Sequence, residues 1–151
     1  MSQSLSAVYV HLTFSTKGRQ PLLCERTIRD RVFAYLGGVS KTLECPPIIV
    51  GGFEDHVHLL ARLGRTISQA EWVKELKRAS NLWLRARGRN YADFEWQRGY
   101  ASFSVSQSNL ERVRQYIANQ EEHHRSKSFQ DELRTLLLKH NVEWDERYAW
   151  D

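Results

Sequence analysis

Residues 48–63, IIVGGFEDHVHLLARL, set two strand-like runs back to back with only Phe53-Glu54-Asp55 between them, which commits the middle of the chain to a β-hairpin. A helical pattern lies on either side. Before the hairpin, residues 24–44 carry Ile28, Val32, Tyr35 and Leu36 at helical spacing, weakened at Gly37-Gly38 and stopped by Pro46-Pro47. After it, TISQAEWVKELKRASNLWLRARG (66–88) begins with Ser68 and Glu71 as a capping box and has Gly88 past its end. Outside these stand SLSAVYVHLTFSTK (4–17), rich in β-branched and aromatic residues, and YADFEWQRGYASFSVSQ (91–107), strand-like with a bend at Arg98-Gly99. The order β-α-β-β-α-β is the split βαβ pattern, so the expected class is α+β with a ferredoxin-like antiparallel sheet. Residues 108–127 read as one further helix, capped by Ser108 with Glu111, and residues 128–142 as a shorter one. In such a sheet the strand bearing His58 is central. Its helix-free face then needs a cover, from the C-terminal helices or from a second subunit.

With 151 residues the chain is expected to form a single domain, 1–151, able to bury a core without disulfides. No apolar run approaches the roughly 20 residues that span a bilayer. The leading MSQSLSAVYVHLTF lacks the basic start and cleavage site of an export signal. Cys24 and Cys45 make no CxxC and read as reduced thiols, so the expected location is cytoplasmic. A net charge of +4 leans towards a polyanionic partner without establishing one.

Within the hairpin, His56 and His58 share one face of an extended strand, with Val57 and Leu59 on the other. A buried strand has no need of two adjacent imidazoles; a metal ion or a phosphate does. In the helix expected at 108–127, Leu110, Val113 and Ile117 form an apolar stripe, and Tyr116 and Gln120 stack beside it four residues apart. Two imidazoles leave a coordination sphere incomplete, and a neutral amide oxygen added to them leaves the charge of a divalent ion available to a phosphate. A tyrosine has an unperturbed pKa of about 10, so it needs a nearby cation or base to act as a nucleophile. Taken singly, each residue has a plainer reading: a hydrogen-bonded core imidazole, or a helix tyrosine at the surface. His11 and His140 read as structural, and His123-His124 as capping or surface residues. Glu54 and Asp55 are either turn formers or groups that orient an imidazole.

The ordered set GGFED before His56-Val57-His58, and YIANQEEHH in a late helix, resembles the single-tyrosine HUH transposases of the insertion sequence 200/605 family, including the REP-associated tyrosine transposases. FSTKGRQPLL, ELKRASN and WQRGYASFSVS extend the resemblance over nearly the whole chain. It implies that His56, His58 and Gln120 hold Mg²⁺ or Mn²⁺ and that Tyr116 is the nucleophile. It also implies a hairpin-forming single-stranded DNA substrate, cleavage to a 5′-phosphotyrosine and a free 3′-hydroxyl, and rejoining by the reverse chemistry. A homodimer is implied too, in which the tyrosine helix of one subunit can complete the histidine site of the other.

Basic residues give candidate DNA contacts: Lys17 and Arg19 in the first turn, and Lys74, Lys77, Arg78 and Arg85 on the 66–88 helix, whose core stripe is expected at Trp72, Leu76, Ala79 and Trp83. A solvated basic face explains the same charges. Tyr100 is a candidate for stacking on bases, while Trp96 is expected in the core. Histidine-triad hydrolases are disfavoured because the next alternate position is Leu60. Two other functions stay open: a phosphodiesterase that uses water instead of Tyr116, and a non-catalytic single-stranded nucleic-acid-binding domain.

Overall fold

The structure is a computed structural model and describes residues 2–151. Its elements are β1 (Tyr9–Ser15), α1 (Arg26–Thr42), β2 (Pro47–Gly52), β3 (His56–Arg62), α2 (Gln69–Arg85), β4 (Ala101–Val105), α3 (Leu110–Ala118), α4 (Gln120–His123) and α5 (Phe129–Lys139). The four strands pair antiparallel in the order β2-β3-β1-β4, which is the split βαβ sheet with β1 and β3 at its centre. Alternation then sorts the side chains. Val10, Leu12 and Phe14 of β1 and Val57, Leu59 and Ala61 of β3 join Ile28, Val32 and Leu36 of α1 and Trp72, Leu76 and Leu84 of α2 in the main core.

The opposite face of the sheet carries His11, Thr13 and Ser15 beside Leu60, His58 and His56. It is closed by the chain itself: α3 lies on β2, and α5 packs Phe129, Leu133 and Leu137 against Phe103 of β4. The C-terminal helices, one of the covers the sequence allowed, lie on this face. Gly51 permits the close approach of α3, since a Cβ there would meet the Ile117 carbonyl oxygen at 2.8 Å. Cys24 and Cys45 are both free thiols.

Several local expectations need correction. The helix expected over 108–127 is two, because Asn119 leaves helical geometry (φ −98°, ψ 19°) between α3 and α4. Ser108 does not cap it; its hydroxyl pairs with Ser106 instead, and Asn109 holds the cap position without a side-chain bond. Ser68 does cap α2, accepting from the Glu71 N–H at 3.0 Å. The buried stripe of α2 runs Trp72, Val73, Leu76, Ser80 and Leu84. Trp83, expected in that stripe, instead stacks half-buried on Tyr35, with centroids 5.0 Å apart.

The strand expected over 91–107 survives only as β4. Its first half is drawn into the core: Phe94 and Trp96 are buried, and both Phe14 and Phe94 meet the Trp96 ring edge-on. The chain then bends at Arg98 before it enters β4. Lys77 secures the bend that results, donating to the carbonyls of Gln97, Arg98 and Gly99 at 2.8, 3.1 and 2.6 Å.

Candidate active site

The pleat of β3 turns His56 and His58 toward the C-terminal helices, where both are fully buried. Each ring is held from behind by its Nδ1. Asp55 Oδ1 lies 2.7 Å from His56 Nδ1, and His11 Nε2 lies 2.8 Å from His58 Nδ1. Asp55 therefore orients an imidazole as well as turning the chain, and His11 is more than a strand filler. Burial, and then the neighbouring His58, push the His11 imidazole down to about 3, which keeps it a neutral partner. With Nδ1 occupied, the two Nε2 atoms point to one spot beneath α4 and α5.

Gln120 enters that spot from the start of α4, only 1% exposed, with Oε1 2.9 Å from His56 Nε2. Its amide orientation follows from the other end, where Nε2 donates to Glu132 Oε2 at 2.8 Å. Tyr116, one turn earlier on α3 and half-buried, donates its hydroxyl to the same Oε2. Burial and the negative charge of Glu132 both push the Tyr116 phenol above its ordinary range. His56, His58, Gln120 and Tyr116 of a single chain thus converge. His124 also converges, with a nearly buried side chain and Nε2 2.9 Å from Gln120 Oε1.

Glu132 is the residue that the sequence reading missed. Its carboxylate lies at the centre, with Oε1 3.0 Å from His58 Nε2 and 3.5 Å from His56 Nε2, and Oε2 3.5 Å from His123 Nε2. Burial alone would raise its pKa, but the imidazoles of His58, His124 and His56 outweigh it and hold the carboxyl far below the usual range. A signal was present: Glu132 falls on the buried side of α5, three residues after Phe129 and next to Leu133, where a carboxylate has no packing reason to be.

The donor chemistry tests whether a cation fits. A carboxylate can only accept, so His56 turns an Nδ1–H towards Asp55 and aims Nε2 into the nest. At 2.9 Å that nitrogen faces Gln120 Oε1, and a proton or a metal ion shared between the two makes the contact attractive. Ligand atoms of His56, His58 and Glu132 all lie within 4.8 Å of one another, close enough to share one ion.

The basic residues are gathered differently. Lys17, Arg19, Lys77 and Arg78 line a cleft of about 780 Å³ with Trp96 and Trp150. Lys74 and Arg85 do not line it, and Arg85 donates to the Phe94 carbonyl at 2.8 Å. Lys77 turns its ammonium to the three carbonyls of the bend, and burial pushes it down to about 8. Lys17 pairs with Glu95 at 2.9 Å, and Arg19 donates to the Trp150 carbonyl at 3.1 Å. Tyr100 is 39% exposed and Trp96 is buried. Among the described residues no helix is long and apolar enough to cross a membrane.

The protein is of the α+β class: a four-stranded antiparallel sheet with an imidazole pair on a central strand, faced by a tyrosine-bearing helix. Residues 4–120 match the sequence model of the family described as "Transposase IS200 like". The chain belongs to the IS200-like transposase family. Among solved structures it is similar to a protein assigned as a candidate transposase from Deinococcus radiodurans R1, with TM-score 0.60 and 23% identity over 80% of this chain and 98% of that one. It is also similar to a REP-associated tyrosine transposase bound to a REP hairpin, with TM-score 0.59 and 13% identity over 82% of this chain and 74% of that one. At these identities the two structures speak for the fold. No curated protein matches by sequence.

Proposed function

We propose that this transposase cuts and rejoins single-stranded DNA through a covalent link to Tyr116, with a divalent ion held by His56, His58 and Gln120. The observation that carries the reading is the shared carboxylate: Tyr116 donates to one oxygen of Glu132, and His58 Nε2 lies 3.0 Å from the other. A phenolic oxygen and the imidazole nest are thereby held within one side chain of each other. No second subunit is needed to bring them together.

The Tyr116 oxygen attacks the scissile phosphorus in line, and the bond to the 3′-oxygen breaks. The phenolic proton ends on that oxygen, leaving a 5′-phosphotyrosine and a 3′-hydroxyl. Each step exchanges one phosphodiester for another, so the 3′-hydroxyl can reverse it without an external energy source. When bound, Mg²⁺ or Mn²⁺ supplies Lewis-acid polarisation of a phosphate oxygen. His56 and His58 are pre-aimed by Asp55 and His11, which spares the reorganisation that loose imidazoles would need. Gln120, a turn from Tyr116, ties the nucleophile's helix to the same nest.

The substrate we assign is hairpin-forming single-stranded DNA, a reading supported by the hairpin in the related REP-associated structure. The cleft with Lys17, Arg19 and Arg78 suits its phosphates. The reading is tested with a hairpin-bearing oligonucleotide, Mn²⁺ and a denaturing gel. Wild-type protein is expected to form a denaturation-resistant adduct. Tyr116→Phe should lower it by on the order of 10³-fold or more while hairpin binding stays within about twofold. Cutting without any adduct assigns the chemistry to water. An adduct that persists in Tyr116→Phe removes Tyr116 from the role.

A further inference from the structure

We propose that Glu132 is itself a ligand of the ion held by His56, His58 and Gln120, so that α5 is part of the metal centre. The inference rests on the reading above only in needing an ion at that spot. Oε1 of Glu132 lies 3.0 Å from His58 Nε2, 3.1 Å from His124 Nε2 and 3.5 Å from His56 Nε2. Neighbouring donors on a six-coordinate ion with bonds of about 2.1 Å stand roughly 3 Å apart, so the carboxylate oxygen already occupies a ligand's place.

His124 supplies a second, independent observation. Its Nδ1 donates to the Lys127 carbonyl oxygen at 2.5 Å, which fixes the ring with Nε2 turned into the nest, 2.9 Å from Gln120 Oε1 and 3.1 Å from Glu132 Oε1. An imidazole nitrogen, an amide oxygen and a carboxylate oxygen thus converge on one point, the donor set a divalent cation takes.

The third observation is charge. Glu132 is 1% exposed, and its ion-pair partners among the described residues are the imidazoles of His56, His58, His123 and His124. No lysine or arginine is among them. A buried carboxylate without a fixed positive partner is costly, and a divalent ion supplies that partner. Local structure fixes Glu132 in this position: Ser128 caps α5 by accepting from the Asp131 N–H at 3.1 Å, and the Phe129 ring packs 4.7 Å from that of His56. Both Glu132 and His124 lie beyond residues 4–120, the part of the chain matched by the family.

An imidazole-rich nest with one carboxylate also favours a transition ion over Mg²⁺, which takes oxygen donors and keeps its waters. The test is a titration with Mn²⁺ alone, following the free-ion resonance, on the full chain and on Glu132→Gln, whose fold is checked by circular dichroism. Wild-type protein is expected to bind Mn²⁺ at least tenfold more tightly than Mg²⁺, and E132Q to bind Mn²⁺ on the order of 100-fold more weakly. Unchanged or tighter Mn²⁺ binding by E132Q overturns the inference and leaves the proposed function standing. Absence of binding by the wild type overturns both. If E132Q does not fold, electron–nuclear double resonance on Mn²⁺-loaded wild-type protein with ¹³C-carboxyl glutamate decides: a direct carbon coupling supports ligation, and its absence overturns it.

Discussion

At the scale of single residues, the centre depends on which nitrogen of each ring keeps its proton. Asp55 decides this for His56, because its carboxylate 2.7 Å from Nδ1 fixes the tautomer that leaves Nε2 free. Asp55→Ala should therefore weaken Mn²⁺ binding by roughly ten- to a hundredfold, although Asp55 is no ligand. The fold should hold, because this turn meets Thr16 through the Asp55 backbone carbonyl, at 2.8 Å from the Thr16 N–H. The same Mn²⁺ titration checks it, and an unchanged affinity would separate Asp55 from the orientation of His56. His56 and His58 were legible in the sequence because strand alternation dictates their common face. Glu132 was not, because its role comes from a helix laid across the sheet, a juxtaposition no local pattern encodes.

At the scale of elements, the position of α3 on β2 sets where Tyr116 and Gln120 stand. Gly51 has no side chain to hold α3 away; a Cβ there would lie 2.8 Å from the Ile117 carbonyl oxygen and 2.9 Å from Ile117 Cγ2. Gly51→Ala must push the helix back by some tenths of an ångström. The expected cost is about 1–3 kcal/mol of stability, read by urea denaturation. Adduct formation should fall by on the order of 10²-fold, because the nucleophile moves with its helix. Equal rates for the two proteins would show that the α3 position is not what aligns Tyr116. The break at Asn119 belongs to this scale as well. The apolar spacing of Leu110, Val113 and Ile117 announced a helix, but Gln120 is turned into the nest from a new short helix, α4. Periodicity reports that a helix exists more reliably than where it bends.

At the scale of the whole molecule, charge and core are segregated. The main core lies between the sheet and α1–α2, the polar nest lies on the opposite face, and the basic cleft is lined by the turn after β1, by α2 and by the C-terminal Trp150 and Asp151. Lys17 and Arg19 are cleft cations outside α2, and their removal leaves the Lys77 clamp on the bend intact. Replacing both with alanine should lessen the salt dependence of hairpin binding, by roughly 0.7–0.9 in the logarithmic slope for each phosphate that is no longer neutralised. Fluorescence anisotropy across a salt series reads this directly. At saturating DNA the rate of adduct formation should be unchanged, and an unaltered slope would place the DNA elsewhere.

The sequence by itself determined the α+β order, the antiparallel hairpin and the shared face of His56 and His58, because these follow from local periodicity and turn chemistry. It also carried the ordered motifs that mark the family. The tertiary structure alone decided that α5 covers the sheet, that Glu132 and His124 enter the nest, and that Lys77 clamps a bend. Those outcomes depend on meetings between segments far apart in the chain, where packing and burial determine which polar groups must find one another.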